Sequence, residues 1–185
     1  DRFLILHCVK PQEDGGGSSS RIWSHFSMAE NVVELPDNMQ LAYYSIASQY
    51  NSNNFGTIIH EMYHQFGAAD LYPVESTTVT QSWKGVGNWD IMASGNWNGN
   101  GAWPALPTSP TMELIGVDRY QLMNLNWLPG ESCSGPEVEL IGLSEGGKSL
   151  KIPIADNEFI WIEYRSDYGF DSRLPGNGIL VMQQD

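Results

Sequence analysis

The sequence lacks long apolar runs, and none reaches the roughly 20 residues that a membrane-spanning helix needs. Basic residues are also scarce: nine Lys and Arg stand against 22 Asp and Glu, which gives a formal net charge of -13. A surface this acidic repels phosphate backbones and anionic lipid headgroups. We therefore expect neither a membrane span nor a nucleic-acid partner.

Cysteine is nearly absent, with only Cys8 and Cys133 in the chain. They can form one disulfide in an oxidising compartment, or both can be buried thiols. Two cysteines fix neither the compartment nor the pairing, so both alternatives stay open. Cys8 lies in the apolar run Phe3 to Val9, which predicts a buried strand.

The chain is also poor in charge overall, at 17% against the usual quarter, while 41% of its residues are hydrophobic. An aromatic content of 11% is typical of a folded protein rather than a disordered one. The 185 residues suit one domain, or one domain with a small subdomain. The chain begins at Asp1 and shows no signal peptide, so we expect a processed or excerpted part of a longer precursor.

Local patterns predict an α+β fold. In the first part, strands are expected at Phe3 to Val9, Ile22 to Ser27 and Met39 to Ser48, and helices at Phe55 to Gly67 and after Ser109. Four further strand-like runs follow Pro129: "VELIGL", "SLKIPI", "EFIWIEYR" and "GILVMQQ". We therefore expect one unit over residues 1–129 and a β-rich subdomain over residues 130–185, truncated at its end.

The run "HEMYHQFGAAD" at residues 60 to 70 predicts a zinc site. His60 and His64 are four apart, so one helix face presents both imidazoles to one ion. Glu61 lies one step round the helix, where its carboxylate can take a proton from water beside the metal. A bare H-E-x-x-H occurs by chance in roughly one chain in a few hundred of this length, so the motif needs further support.

That support lies in the residues that follow the helix. Gly67 can end the helix in the left-handed conformation and let the chain reverse. Asp70 then stands where metzincin peptidases place a third ligand, usually a histidine, and a carboxylate oxygen is an acceptable zinc ligand. Met92, in "GNWDIMASG", can form the methionine turn beneath the metal, although alone it would be interpreted as a core methionine.

With these residues the chain resembles the immune inhibitor A-like secreted zinc metallopeptidases, a metzincin-like family. Five blocks in the same order carry the resemblance: "RIWSHFS" from residue 21, "HEMYHQFGAADLY" from residue 60, "GVGNWDIMASGNWNG" from residue 85, "DRYQLMNLNWLP" from residue 118 and "EFIWIEYRSDYGFDSRLPGNGILVMQQD" from residue 158. The resemblance implies a metzincin-like catalytic domain with an N-terminal mixed sheet, an active-site helix, a Met-turn and a second helix, followed by an all-β portion.

The resemblance also implies a secreted, zinc-dependent endopeptidase that acts on proteins or peptides and is stabilised in many members by Ca²⁺. His60, His64 and Asp70 would bind the metal, Glu61 would be the general base, and Met92 would form the floor. A monomer is expected. The alternative is a non-catalytic binding or adhesion module, or a pseudo-enzyme, that retains a structural zinc.

Two further side chains are left open. His25, in "WSHF", is either a structural hydrogen-bonding residue or part of the cleft. A peptidase also needs a group that stabilises the oxyanion of the tetrahedral intermediate. Tyr72, two residues past Asp70, is a weak candidate for that role, and a packed aromatic side chain is the favoured interpretation.

Overall fold

A computed structural model describes residues 1–14, 20–50, 52–74, 85–125 and 135–185. It has two sheets and few helices, so the predicted α+β class is confirmed. The described helices are too short and too polar to cross a lipid bilayer. Cys133 and the predicted boundary at Pro129 lie outside the described residues, so the disulfide and the division at residue 129 stay predictions.

The first sheet contains the three strands predicted near the N-terminus. Its order is β1-β3-β2, with β1 parallel and β2 antiparallel to the central strand β3. The bounds are β1 Phe3–His7, β2 His25–Glu34 and β3 Gln40–Ser48. The edge strand β2 extends well past the short strand that the sequence predicts.

The prediction that β1 is buried is wrong. Leu4, Ile5 and Leu6 are 36%, 42% and 43% exposed, so the described residues cover both faces of the strand only in part. The helix that spans Phe55–His64 packs on β3 and β2 instead, and the Ser45 hydroxyl on β3 donates to the Glu61 carbonyl in that helix at 2.6 Å. Cys8, just past this strand, is exposed as well, so its interpretation as a buried thiol is also wrong.

The described ranges contain two α-helices, α1 Phe55–His64 and α2 Ser109–Leu114. The sequence predicts a longer second helix, which is wrong beyond Leu114. Gly116 has a φ of +82°, and the amide of Val117 donates to the carbonyl of Met112 at 2.8 Å. A left-handed glycine with this hydrogen bond ends a helix. The described part of the block "DRYQLMNLNWLP", residues 118–125, therefore contains a strand and no helix.

The second sheet has the order β4-β5-β6-β7, with β4 parallel to β5 and the other pairs antiparallel. Its strands are β4 Tyr120–Leu122, β5 Ser149–Ala155, β6 Glu158–Arg165 and β7 Gly178–Gln184. Three of the four strands predicted after Pro129 are thereby confirmed. The prediction of the fourth strand, "VELIGL", is wrong, because residues 138–143 form no strand. The run ends in a turn, in which the amide of Gly147 donates to the carbonyl of Gly142 at 3.0 Å.

Short 3-10 helices connect these elements. They span Pro36–Asn38, Ser52–Asn54, Gly87–Trp89, Ser94–Gly101, Leu143–Glu145 and Gly169–Arg173. A buried apolar cluster of Ala68, Ile91 and Met92 lies between α1 and the loop before Ser94. The core therefore sits directly under the predicted zinc motif.

Candidate metal centre

Helix α1 presents the two histidines side by side. The ring centroids of His60 and His64 are 4.8 Å apart; His60 is buried and His64 is partly buried. The helix lies unusually close to the segment that follows Met92. A Cβ added to Gly56 would lie 1.9 Å from the carbonyl oxygen of Asn96. This close approach seats the histidines over the loop that contains Met92.

The chain reverses after α1 and brings a carboxylate to both histidines. Gly67 has a φ of +100°, as its predicted role as the helix stop requires. The Oδ1 atom of Asp70 then lies 3.1 Å from the Nε2 of His60 and 3.3 Å from the Nε2 of His64. The ligand atoms of these three residues all lie within 4.8 Å of one another.

The hydrogen bonds of the histidines decide which ring nitrogens are free. The Nδ1 of His60 lies 2.8 Å from the carbonyl oxygen of Ile91, and the Nδ1 of His64 lies 2.8 Å from that of Ala68. A carbonyl oxygen only accepts, so each Nδ1 carries a proton. In the neutral rings both Nε2 atoms then hold lone pairs directed at a carboxylate oxygen.

Three acceptor atoms that converge without a proton between them repel one another unless a cation lies among them. The buried Oδ1 of Asp70 has no hydrogen-bond donor among the described residues. In a tetrahedral site with bonds of about 2.0–2.1 Å, neighbouring ligand atoms are about 3.3 Å apart. The Asp70 Oδ1 atom lies 3.1 and 3.3 Å from the two Nε2 atoms, which matches that value. The donor set therefore fits a zinc ion.

Electrostatics at the cluster follow from the same contacts. Burial raises the pKa of Asp70, but the adjacent imidazoles of His60 and His64 outweigh this effect and hold that pKa below its usual range. Burial lowers the pKa of His64, yet its contacts with Asp70 and the Ala68 carbonyl leave it raised. Without a metal, the cluster therefore favours an ionised Asp70 and proton uptake by His64.

Glu61 lies beside the cluster and faces a cleft. Burial raises the pKa of its carboxyl more than the nearby His60 lowers it. The side chain is 7% exposed and lines two cavities, of about 240 and 420 Å³. A carboxylate with a raised pKa at the edge of a cleft is suited to proton transfer at neutral pH.

The loop that carries Met92 holds the ligands through its backbone. Met92 is fully buried, and its carbonyl accepts the amide hydrogen of Leu71 at 2.8 Å. Leu71 directly follows Asp70, and the carbonyl of Ile91 holds His60. Two consecutive peptide groups of this loop thus fix two of the three candidate ligands. The side chain of Met92 packs with Ala68 in the buried apolar cluster under α1.

His25 and Tyr72 also line the larger cavity, together with His60, Glu61 and Asp70. The Nδ1–H of His25 donates to the carbonyl of Trp23 at 2.7 Å, at the start of the edge strand β2. Burial, with added effects of Asp70, raises the pKa of Tyr72. The sequence left both roles open, because only the pairing of β2 with β3 and the reversal after Gly67 put them in one cleft.

No second group of three His, Cys, Asp or Glu ligand atoms occurs within the described part of the chain. Asp171, an acidic residue of the C-terminal region, forms an ion pair with Arg165 at 2.7 Å. The described residues thus offer no cluster that supports the calcium that the resemblance implies.

Comparison with known proteins assigns the chain to a family. A family model described as the immune inhibitor A peptidase M6 catalytic domain matches residues 1–113, which include all three candidate ligands. The pre-pro-metalloproteases PrtV of two Vibrio cholerae serotype O1 strains are each 33% identical over 110 residues. Each alignment covers 54% of this chain but only 12% of the relative. The chain belongs to the immune inhibitor A family of M6 peptidases.

Proposed function

We propose that the chain is the catalytic part of a zinc-dependent endopeptidase. One observation carries the proposal: the two Nε2 atoms and the Asp70 Oδ1 converge beside a buried Glu61 that faces an open cleft. His60, His64 and Asp70 would hold the ion. When bound, zinc polarises the scissile carbonyl and lowers the pKa of water toward 7.

The residues of the chain divide the remaining work. Glu61 takes a proton from the attacking water and delivers it to the amine that leaves. Its raised pKa suits both halves of that transfer, since the carboxyl must accept and then release a proton near neutral pH. Ile91 and Ala68 keep the two imidazoles in the tautomer that leaves Nε2 free. Met92 supplies the apolar floor beneath the histidines.

The alternative is a binding module with a structural zinc. A structural site is closed by four protein ligands, whereas a catalytic site keeps one position open. Among the described residues the group contains three ligand residues, and Glu61 remains beside it. This ligand count favours catalysis. The relatives are named pre-pro-metalloproteases, and we extend processing from a precursor and secretion to this chain as part of the proposal.

The test separates metal binding from proton transfer. Glu61→Gln should retain stoichiometric zinc and lose roughly 10²- to 10⁴-fold in the rate of cleavage of a denatured protein. His64→Ala should lose the zinc itself. Native cleavage rates in Glu61→Gln would remove the base assignment. A wild-type chain without zinc, unchanged by His64→Ala, would remove the metal site.

A further inference from the structure

We propose that Arg165, on strand β6 of the second sheet, is a positioning residue for the metal centre. It acts through the four-residue loop Trp89–Met92, which we call the methionine loop. This inference rests on the proposed function, because it concerns the zinc affinity of the site proposed there. If Arg165 acts in this way, the second sheet contributes to the geometry of the metal centre.

Arg165 is completely buried, and all five of its N–H groups have acceptors. Nε and Nη2 donate to the two carboxylate oxygens of Asp171 at 2.8 and 2.7 Å. Nη1 donates to Glu163 at 3.0 Å and to the carbonyl of Trp89 at 2.9 Å. Nη2 also donates to the carbonyl of Leu106 at 3.2 Å. The planar guanidinium thus grips the first residue of the methionine loop while two carboxylates fix its orientation.

Asp90, the next residue of the loop, is fully buried and fixes the loop from within. One carboxylate oxygen accepts the amide hydrogen of Met92 at 2.6 Å. The other accepts the amide and the hydroxyl of Thr108, each at 2.6 Å, and the hydroxyl of Thr111 at 2.8 Å. Thr108 is the N-cap residue of α2. The loop is therefore tied to the start of that helix.

Glu163 closes the circuit between the helix and the second sheet. Its Oε2 accepts the amide of Ser109 at 2.9 Å and the hydroxyl of Ser109 at 2.6 Å, while its Oε1 accepts from Arg165. Ser109 follows Thr108 directly. The methionine loop, the first turn of α2 and strand β6 therefore form one closed ring of buried hydrogen bonds, which resists displacement of any single member.

The ring reaches the metal ligands at Ile91. Arg165 holds the loop at Trp89, Asp90 holds it at Met92, and Ile91 lies between them. The Ile91 carbonyl accepts from the Nδ1 of His60, which sets the direction of the Nε2 lone pair. Groups that orient a metal-binding histidine in this way typically change metal affinity by about 10- to 100-fold when they are removed.

The M6 family model matches only residues 1–113, so Arg165 and Glu163 lie outside it. All three ligands lie inside it. The hydrogen-bonded ring that orients His60 therefore extends beyond the region that the family model matches, and a chain cut near residue 113 would retain the ligands and Asp90 but lose Arg165 and Glu163.

The test uses the full chain and compares Arg165→Lys with Arg119→Lys. A lysine keeps the charge at residue 165 but cannot contact Asp171 with two nitrogens and also reach Trp89. Arg119 is the matched control, because its Nη2 donates to the carbonyls of Leu143 and Gly147, both at 2.7 Å, away from the methionine loop. The measurements are zinc affinity by chelator competition and the visible spectrum of the cobalt-loaded protein.

We expect Arg165→Lys to bind zinc about 10- to 100-fold more weakly and to shift the cobalt bands. We expect Arg119→Lys to leave both unchanged. A folded Arg165→Lys protein with wild-type zinc affinity and spectrum would overturn the inference and leave the proposed function standing. A wild-type chain that binds no zinc would instead remove the proposed function, on which the inference rests.

If Arg165→Lys does not fold, a measurement on the wild type keeps the inference testable. Coupling between two sites is reciprocal, so removal of zinc should also destabilise the hydrogen bonds of the ring. Amide hydrogen exchange should then rise together at Met92 and at Glu163–Arg165 of β6. Faster exchange at Met92 with no change in β6 would overturn the inference.

Discussion

The Nδ1 of His60 donates to the backbone carbonyl of Ile91 at 2.8 Å, across 31 residues of sequence. The side chain of this candidate metal ligand is thus oriented by a peptide group that no substitution can delete. Only changes that move the backbone of the methionine loop can disturb this contact.

Truncating the Met92 side chain beneath the site should lower the stability of the fold. Met92 is fully buried against Ala68 and Ile91, so Met92→Ala leaves a cavity where the side chain was. We expect the free energy of unfolding to fall by about 2–5 kcal/mol, measured with denaturant on the metal-free chain. Met92→Leu, which nearly conserves volume, should cost less than about 1.5 kcal/mol. Equal losses in both variants would contradict a packing role.

Zinc affinity should fall as the pH is lowered. The pKa of His64 is raised without metal, so proton uptake at this ligand begins at a higher pH than for an ordinary histidine. Protons that bind the ligand compete with zinc below that pKa, and the competition disappears above it. Chelator competition across the neutral range should show the decline. An affinity independent of pH down to about 5 would contradict the raised pKa.

Replacing the carboxylate ligand should change the acidity of the water that attacks. Two neutral imidazoles and one carboxylate leave the ion with about one net positive charge, whereas three imidazoles leave it with two. An Asp70→His variant that retains zinc should therefore shift the acid limb of its pH–rate profile downward. An unmoved or raised limb would count against this charge argument.

The contact between α1 and the loop after Met92 should tolerate no side chain. A Cβ on Gly56 would lie 1.9 Å from the Asn96 carbonyl oxygen, a backbone atom that cannot turn aside. We expect Gly56→Ala to lower both the midpoint of denaturant unfolding and the zinc affinity.

Gly116→Ala is the control for that experiment. A Cβ added to Gly116 would meet no atom of the described residues within 4 Å, but the φ of Gly116 is +82°. Only backbone strain of about 1–2 kcal/mol should appear there, with zinc affinity retained. If Gly56→Ala were the milder of the two changes, the close approach of helix and loop would be disproved.

The sequence predicts the local parts of the molecule well. The helix of the zinc motif, the left-handed Gly67 and the strands β3, β5, β6 and β7 all follow from short-range patterns. Two histidines on one helix face and a glycine reversal are local geometry, so they place Asp70 beside the histidines before any tertiary contact is considered.

The remaining features depend on distant contacts. β1 has the composition of a buried strand, yet its exposure depends on which strands α1 covers. The pattern Glu-x-Arg at residues 163 to 165 was visible in the sequence, but its partner Trp89 lies 76 residues away. Asp90 stood unnoticed beside Met92, because a lone acidic residue in a turn is normally solvated.

The exposed apolar strand β1 has a consequence for how the protein behaves in solution. Among the described residues no strand pairs with the outer edge of β1, and such an edge offers its backbone to other molecules and invites edge-to-edge association. The net charge of -13 opposes such encounters over a range that shrinks to about 10 Å in 0.1 M salt. Colloidal stability should therefore decline as ionic strength rises, and dilute buffers should keep the purified protein dispersed where saline ones do not.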